Sequence, residues 1–75
     1  MALPPRERYE RFMHAWAQTH GMPYQQARQD RLARAYYAMS HAAPRRMIAD
    51  AWTQAGVLEK YRDPEGRERW RYVET

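Results

Sequence analysis

The chain has 75 residues, no cysteine, and thirteen basic against nine acidic residues, which gives a formal net charge of +4. A core of this size supplies only roughly 3–5 kcal/mol of stability, which disfavours a deep catalytic cavity, so we expect neither an enzyme nor a bound cofactor. The lack of cysteine excludes disulfides and thiolate metal sites. With no signal-peptide block and no apolar run of about 20 residues, we expect one cytoplasmic domain that does not enter a membrane.

The first predicted element is a helix from Pro5 to His20. Proline suits the first position of a helix, because its missing N–H has no partner there anyway. Gly21 supplies a C-terminal cap, and Pro23 prevents the helix from resuming. One apolar stripe with helical spacing is expected to face the core, and it consists of Tyr9, Phe12, Met13 and Trp16.

The second predicted element is one continuous helix from Tyr24 to Met39, because this stretch contains neither glycine nor proline. Its predicted buried face consists of Leu32, Ala35, Tyr36 and Met39. Three arginines to one side of that face form a secondary basic face that would either clamp phosphates or simply face water. They are Arg28, Arg31 and Arg34.

The third predicted helix covers residues 44–55, with Pro44 at its start and Gly56 just after its end. Its apolar stripe is expected to pack on the core and consists of Met47, Ile48, Ala51, Trp52 and Ala55. The opposite face carries Arg46, Ala49, Asp50 and Thr53, with Arg45 and Gln54 at its margins.

A β-hairpin is predicted over residues 57–73. Asp63-Pro64-Glu65-Gly66 is a turn sequence, with proline at the second position and a glycine where a left-handed residue is needed. A three-residue loop with a bulge at Gly66 pairs Leu58 with Tyr72, Glu59 with Arg71, Lys60 with Trp70, Tyr61 with Arg69 and Arg62 with Glu68. A four-residue loop would shift the pairs by one position. We prefer the bulged register, because it sets opposite charges across the strands and a lysine opposite an indole.

Three helices followed by a two-stranded hairpin make a mainly α fold that resembles the winged helix-turn-helix DNA-binding superfamily over essentially the whole chain. The likeness is sharpest in IADAWTQAGVLEKYRDPEGRERWRYV, residues Ile48–Val73. It implies that the third helix enters the major groove of double-stranded DNA while the hairpin contacts phosphate or the minor groove. The residues it implicates are Arg45, Arg46, Ala49, Asp50 and Thr53 on the helix, and Arg62, Arg67 and Arg69 on the hairpin, of which Arg67 and Arg69 are the better candidates.

Twelve of the thirteen basic residues are arginine, whose planar fork of donors suits phosphates and guanine edges. A GC-rich genome would produce the same bias. A DNA-binding protein of this size would be a transcriptional regulator, an excisionase-like factor or a replication accessory factor.

The alternative is a small phage- or plasmid-type inhibitor or adaptor that docks on another protein through the same surface. Asp50 favours it, because an acid suits cytosine but not phosphate and lies four residues from Arg46, with which it would pair. Residues 38–75 are also nearly neutral, with seven basic and six acidic residues. The length of the second helix leaves room for a homodimer surface.

Metal binding and catalysis have no sequence support. His14, His20 and His41 lack the spacing of metal ligands, and no nucleophile is paired with a base. Trp16, Trp52 and Trp70 are expected to pack in the core, with Trp70 the most exposed of the three.

Overall fold

The computed structural model describes residues 3–73, which form four α-helices, one turn of 3₁₀ helix and a two-stranded antiparallel hairpin. The mainly helical fold with a small hairpin is therefore confirmed. Over these residues every helix is too short or too polar to cross a membrane. The elements are α1 (Pro5–His20), α2 (Tyr24–Gln29), α3 (Arg31–Ala38), the 3₁₀ turn (Met39–His41), α4 (Arg45–Gln54), β1 (Leu58–Arg62) and β2 (Glu68–Tyr72).

Helix α1 has the predicted bounds. Pro5 opens it, and Gly21 closes it in the left-handed conformation, with φ at 66°. The N–H of Met22 reaches back to the carbonyl of Ala17 at 2.9 Å, which satisfies one of the last helical carbonyls. The predicted stripe faces inward: Phe12, Met13 and Trp16 are buried.

The prediction of one continuous second helix is wrong, because the chain breaks at Asp30. The backbone of Asp30 is extended, with ψ at 126°, and its carboxylate accepts a hydrogen bond from the N–H of Ala33 at 3.0 Å. An aspartate that caps a helix in this way offers the backbone an alternative to continuing the previous helix. Asp30 thus ends α2 and begins α3.

The break rotates the chain so that different side chains face the core. Leu32 and Ala35, which a continuous helix would bury, are exposed, and Leu32 is 58% exposed. Ala33 is fully buried instead, and Tyr37, which lies off the predicted stripe, packs against the core beside Tyr36. On α4 the predicted core residue Met47 is also 55% exposed.

The core is a cluster of aromatic rings gathered around Phe12 and Trp52. Their ring centroids lie 4.7 Å apart, and the ring of Tyr37 lies 5.4 Å from that of Phe12. The indole N–H of Trp52 donates to the carbonyl oxygen of Tyr36 at 2.9 Å, which joins α4 to α3. A small domain that relies on a few large rings in this way loses much of its core if one of them is removed.

The hairpin has the predicted register at every pair. Leu58 lies opposite Tyr72 and Lys60 opposite Trp70, and the loop closes with Gly66 at φ 83°. The N–H of Val73 donates to the carbonyl of Val57 at 2.9 Å, which extends the pairing past the strands.

Contacts around Gly56 connect the end of α1 with the end of α4 and the start of β1. Gly56 has φ at 81°, and the hydroxyl of Thr19 donates to its carbonyl oxygen at 2.6 Å. The His20 Nε2 atom lies 3.0 Å from the carbonyl oxygen of Ala55. The C-terminal ends of α1 and α4 are therefore tied together where the chain enters the hairpin.

Candidate nucleic-acid interface

An open groove lies between α4 and β2, and we call it the α4–hairpin groove. It is formed because β1 follows α4 directly and β2 then returns alongside β1. Two adjacent arginines of α4 and one arginine of β2 line it together with one indole ring. The lining residues are Arg45, Arg46, Ala49, Glu68, Arg69 and Trp70.

In this groove, Arg46 of α4 contacts the hairpin. Its guanidinium lies 5.7 Å from the centroid of the Trp70 ring, and its Nε atom lies 3.8 Å from an oxygen of Asp50. Lys60 lies opposite Trp70 as predicted, but its ammonium group lies 3.5 Å from the carboxylate of Glu68, and the cation over the ring is Arg46. The Arg46 side chain is still 73% exposed, so its guanidinium can contact a ligand.

Arg45 has no carboxylate within salt-bridge distance among residues 3–73, and it is exposed. It lines the α4–hairpin groove and also the neighbouring concavity that continues toward Arg8, Ser40 and Tyr72. Arg45 is therefore the uncompensated positive charge at the boundary between the two.

The hairpin arginines all have partners within the hairpin. Arg67 lies 3.3 Å from Glu65, and Arg69 lies 3.2 Å from Asp63. From the sequence, these two arginines were the hairpin cations expected to be available to a ligand. In the structure, each of them is paired with a carboxylate. Arg62, which the register sets opposite Glu68, donates instead to the carbonyl of Gly66 at 2.8 Å.

Of the eight candidate residues on α4 and the hairpin, four line the groove, namely Arg45, Arg46, Ala49 and Arg69, and four do not. Asp50 pairs with Arg46, and Arg67 pairs with Glu65. Thr53 is half-buried, and its hydroxyl donates to the carbonyl of Ala49, one turn earlier in its own helix, at 2.7 Å. Sequence reasoning assigned Trp70 and Glu68 no part in this site. The predicted hairpin register could have identified both, because it places them two residues apart on the same face of β2.

Asp63 organises the hairpin loop. Its Oδ1 atom accepts hydrogen bonds from the N–H groups of Arg67 at 2.9 Å and Glu65 at 3.0 Å, and its side chain is only 15% exposed. The pKa of this carboxyl is lowered from 3.8, chiefly by the Arg67 N–H, while partial desolvation opposes the shift and Arg69 adds to it.

Because the folded-state pKa of Asp63 is lowered, its stabilising effect is present above the unfolded-state pKa and disappears as the pH falls through the folded-state value. We therefore expect an NMR titration of the Asp63 carboxyl carbon to give a midpoint below 3.8. Asp63→Asn should unfold at lower urea concentration than the wild type at neutral pH, and the difference should shrink in strong acid. A midpoint at or above the ordinary value would contradict this assignment.

The secondary basic face is divided between two surfaces. Arg28 and Arg34 line one groove bounded by α1, α2 and α3. Arg31 is exposed and does not line it. The predicted cluster of three arginines is thus a pair in a concavity and a single arginine outside it.

The described part of the chain contains no group of three His, Asp or Glu residues that could hold a metal ion. Comparisons with protein families, with curated proteins and with solved structures find no match for this chain. The functional assignment therefore depends on the chemistry of the two grooves.

Proposed function

We propose that this chain is a small DNA-binding protein of winged-helix type, acting in the cytoplasm, whose α4–hairpin groove contacts the phosphates of duplex DNA. One observation carries the proposal: Arg45 and Arg46 from α4 and Arg69 from β2 line the same open groove. Guanidinium groups bind phosphate through paired, charge-assisted hydrogen bonds, so two exposed arginines of α4 beside a third on β2 suit a nucleic-acid backbone.

The ion pairs in the groove do not prevent phosphate binding. Exposed pairs of this kind contribute about 0–1 kcal/mol, so a phosphate can replace the carboxylate at little cost. Asp63 would keep its two backbone hydrogen bonds if Arg69 moved to a phosphate. The proposal therefore assigns a phosphate contact to each of Arg45, Arg46 and Arg69. The Trp70 ring orients the guanidinium of Arg46 for this contact.

The test is duplex binding measured by fluorescence anisotropy between about 50 and 200 mM salt. We expect Arg45→Gln with Arg46→Gln to weaken binding about tenfold or more and to make the salt slope shallower by about two, since two phosphate contacts are lost. Arg6→Gln with Arg31→Gln is the matched control. It also removes two exposed charges, and Arg6 pairs with Glu10 at i, i+4 as Arg46 does with Asp50.

Two results would defeat the proposal. One is the absence of duplex binding by the wild type at low salt. The other is an equal loss in the groove variant and the control, which would mean that only total charge matters.

A second candidate, a protein-binding adaptor, is favoured by the charge pairing on this surface. Five cations of α4 and the hairpin each lie within 4 Å of a carboxylate, whereas a surface devoted to phosphate would leave most of them unpaired. This candidate predicts one stoichiometric protein partner that stays bound in high salt and is lost with Arg45→Gln and Arg46→Gln. It also predicts no salt-dependent duplex binding.

A further inference from the structure

A second groove lies on the helical part of the molecule, and we call it the α1–α3 groove. Its volume is about 510 Å³, which falls in the range of roughly 300–1,000 Å³ typical of small-ligand sites. None of the residues that line it lines the α4–hairpin groove. The side chains that matter here are Tyr9, Gln25, Arg28, Gln29, Arg34 and Tyr37, with His41 at the end of the 3₁₀ turn that follows α3.

The break at Asp30 brings Arg28 and Arg34 into the same groove. In a continuous helix two residues six positions apart point about 120° away from each other. Asp30 caps the start of α3, so α3 does not continue the turn of α2. As a result Arg28 and Arg34 line one groove, while Arg31, which lies between them in sequence, does not.

The α1–α3 groove is positive and lacks compensating acids. None of its lining residues is an aspartate or glutamate. Arg34 has no carboxylate within salt-bridge distance among residues 3–73. Arg28 makes only a 3.4 Å hydrogen bond to Gln25 and lies 5.8 Å over the ring of Tyr24. The charged groups of the α4–hairpin groove are mostly paired, whereas the two arginines of the α1–α3 groove have no carboxylate partner within the described residues, so this groove would attract a small anion.

The rest of the lining suits a flat ring with polar edges. Tyr9 and Tyr37 meet edge to face, with centroids 5.1 Å apart and planes at 87°, and together they form an aromatic wall of the groove. The side-chain amides of Gln25 and Gln29 add donors and acceptors of the kind that pair with base edges.

We propose that the α1–α3 groove binds a nucleotide, with its phosphate between Arg28 and Arg34 and its base against the wall of Tyr9 and Tyr37. A nucleotide is the ligand class that combines an anion, a flat ring and a hydrogen-bonding edge. The source is either a free mononucleotide or the end of a single strand. This site is separate from the duplex-binding surface and does not depend on it.

The test is a titration of the full chain followed by backbone NMR shifts and calorimetry. Its four probes are AMP, adenosine, ribose 5-phosphate and a 5′-phosphorylated single-stranded oligonucleotide. We expect AMP to bind and to shift the amides of α2 and α3, and to bind at least tenfold more tightly than adenosine or ribose 5-phosphate. Tighter binding of the oligonucleotide than of AMP would identify a strand end as the source, and the reverse would identify the free nucleotide.

Single substitutions locate the phosphate. Arg28→Gln and Arg34→Gln should each weaken AMP binding about tenfold or more, since each removes a charge-assisted contact. Arg31→Gln removes the same charge from the same segment outside the groove and should leave the affinity unchanged. All three residues are exposed, so circular dichroism should report an intact fold. The proposal fails if AMP does not bind, if ribose 5-phosphate or adenosine binds equally well, or if Arg31→Gln loses as much affinity as the other two.

Discussion

Trp52→Ala is expected to leave the chain largely unfolded. Trp52 is 3% exposed and packs against the rings of Phe12, Tyr37 and Tyr72. Removing a buried tryptophan costs about 3–5 kcal/mol through lost burial and the cavity that remains. That loss matches the roughly 3–5 kcal/mol that a core of this size supplies in total. The carbonyl of Tyr36 would also lose the indole N–H that binds it.

Far-UV circular dichroism of Trp52→Ala should show most of the helical signal lost. Trp52→Phe keeps an aromatic ring in the core but removes the N–H and part of the ring volume, so it should fold with reduced resistance to urea. Trp70→Ala is the control. The same residue type is only half-buried there, and its loss should leave the fold in place. A stably folded Trp52→Ala would show that the aromatic cluster is not the main support of the fold.

The second large effect is expected at Gly56. A left-handed φ costs an alanine about 1–2 kcal/mol, and a Cβ at Gly56 would overlap the methyl group of Thr19. Forcing an extra carbon into a packed contact typically adds about 1–3 kcal/mol. The clash would also push Thr19 away from the carbonyl that its hydroxyl binds. Gly56→Ala should therefore remove most of the stability of the domain.

Gly21→Ala is a matched control for Gly56→Ala. Gly21 has a similar φ of 66°, but a Cβ added there would meet no neighbouring side chain or backbone within 4 Å. Urea unfolding should therefore give a loss of about 1–2 kcal/mol for Gly21→Ala and a clearly larger loss for Gly56→Ala. Equal losses would show that backbone conformation alone matters and that the contact with Thr19 is unimportant.

The elements that could be predicted from sequence are those set by local signals. Pro5 and Gly21 bound α1 as expected, because a proline start and a left-handed glycine end are decided within a few residues. The hairpin register followed from the turn residues Asp63 and Gly66 together with the opposite charges that the bulged register sets across the strands.

The break at Asp30 could not be separated from a continuous helix by periodicity. An aspartate inside a helical pattern can face solvent or cap a new helix, and the choice depends on which side chains the core accepts. Here Ala33 is buried and Tyr37 packs against the core, in place of Leu32 and Ala35. That is a tertiary effect overriding a local pattern.

The candidate site was predictable in its residue types but not in its pairings. Arg45, Arg46 and Arg69 were named from sequence, and they share a groove. The contact of Arg46 with Trp70 depends on how α4 lies against the hairpin. The pairing of Arg69 with Asp63 depends on how the loop folds back on β2. Neither distance is encoded within one element.

Because the chain breaks at Asp30, α2 is also short enough to be expected to open locally. A helix of six residues is far below the length that persists alone in water, and Ala27 is its only fully buried residue. Its amides should therefore exchange with solvent through a local opening that leaves α1 and α4 protected. A ligand that joins Arg28 on α2 to Arg34 on α3 would close that opening, so part of its binding energy would be spent on ordering a helix, and slowed exchange in α2 would be its signature.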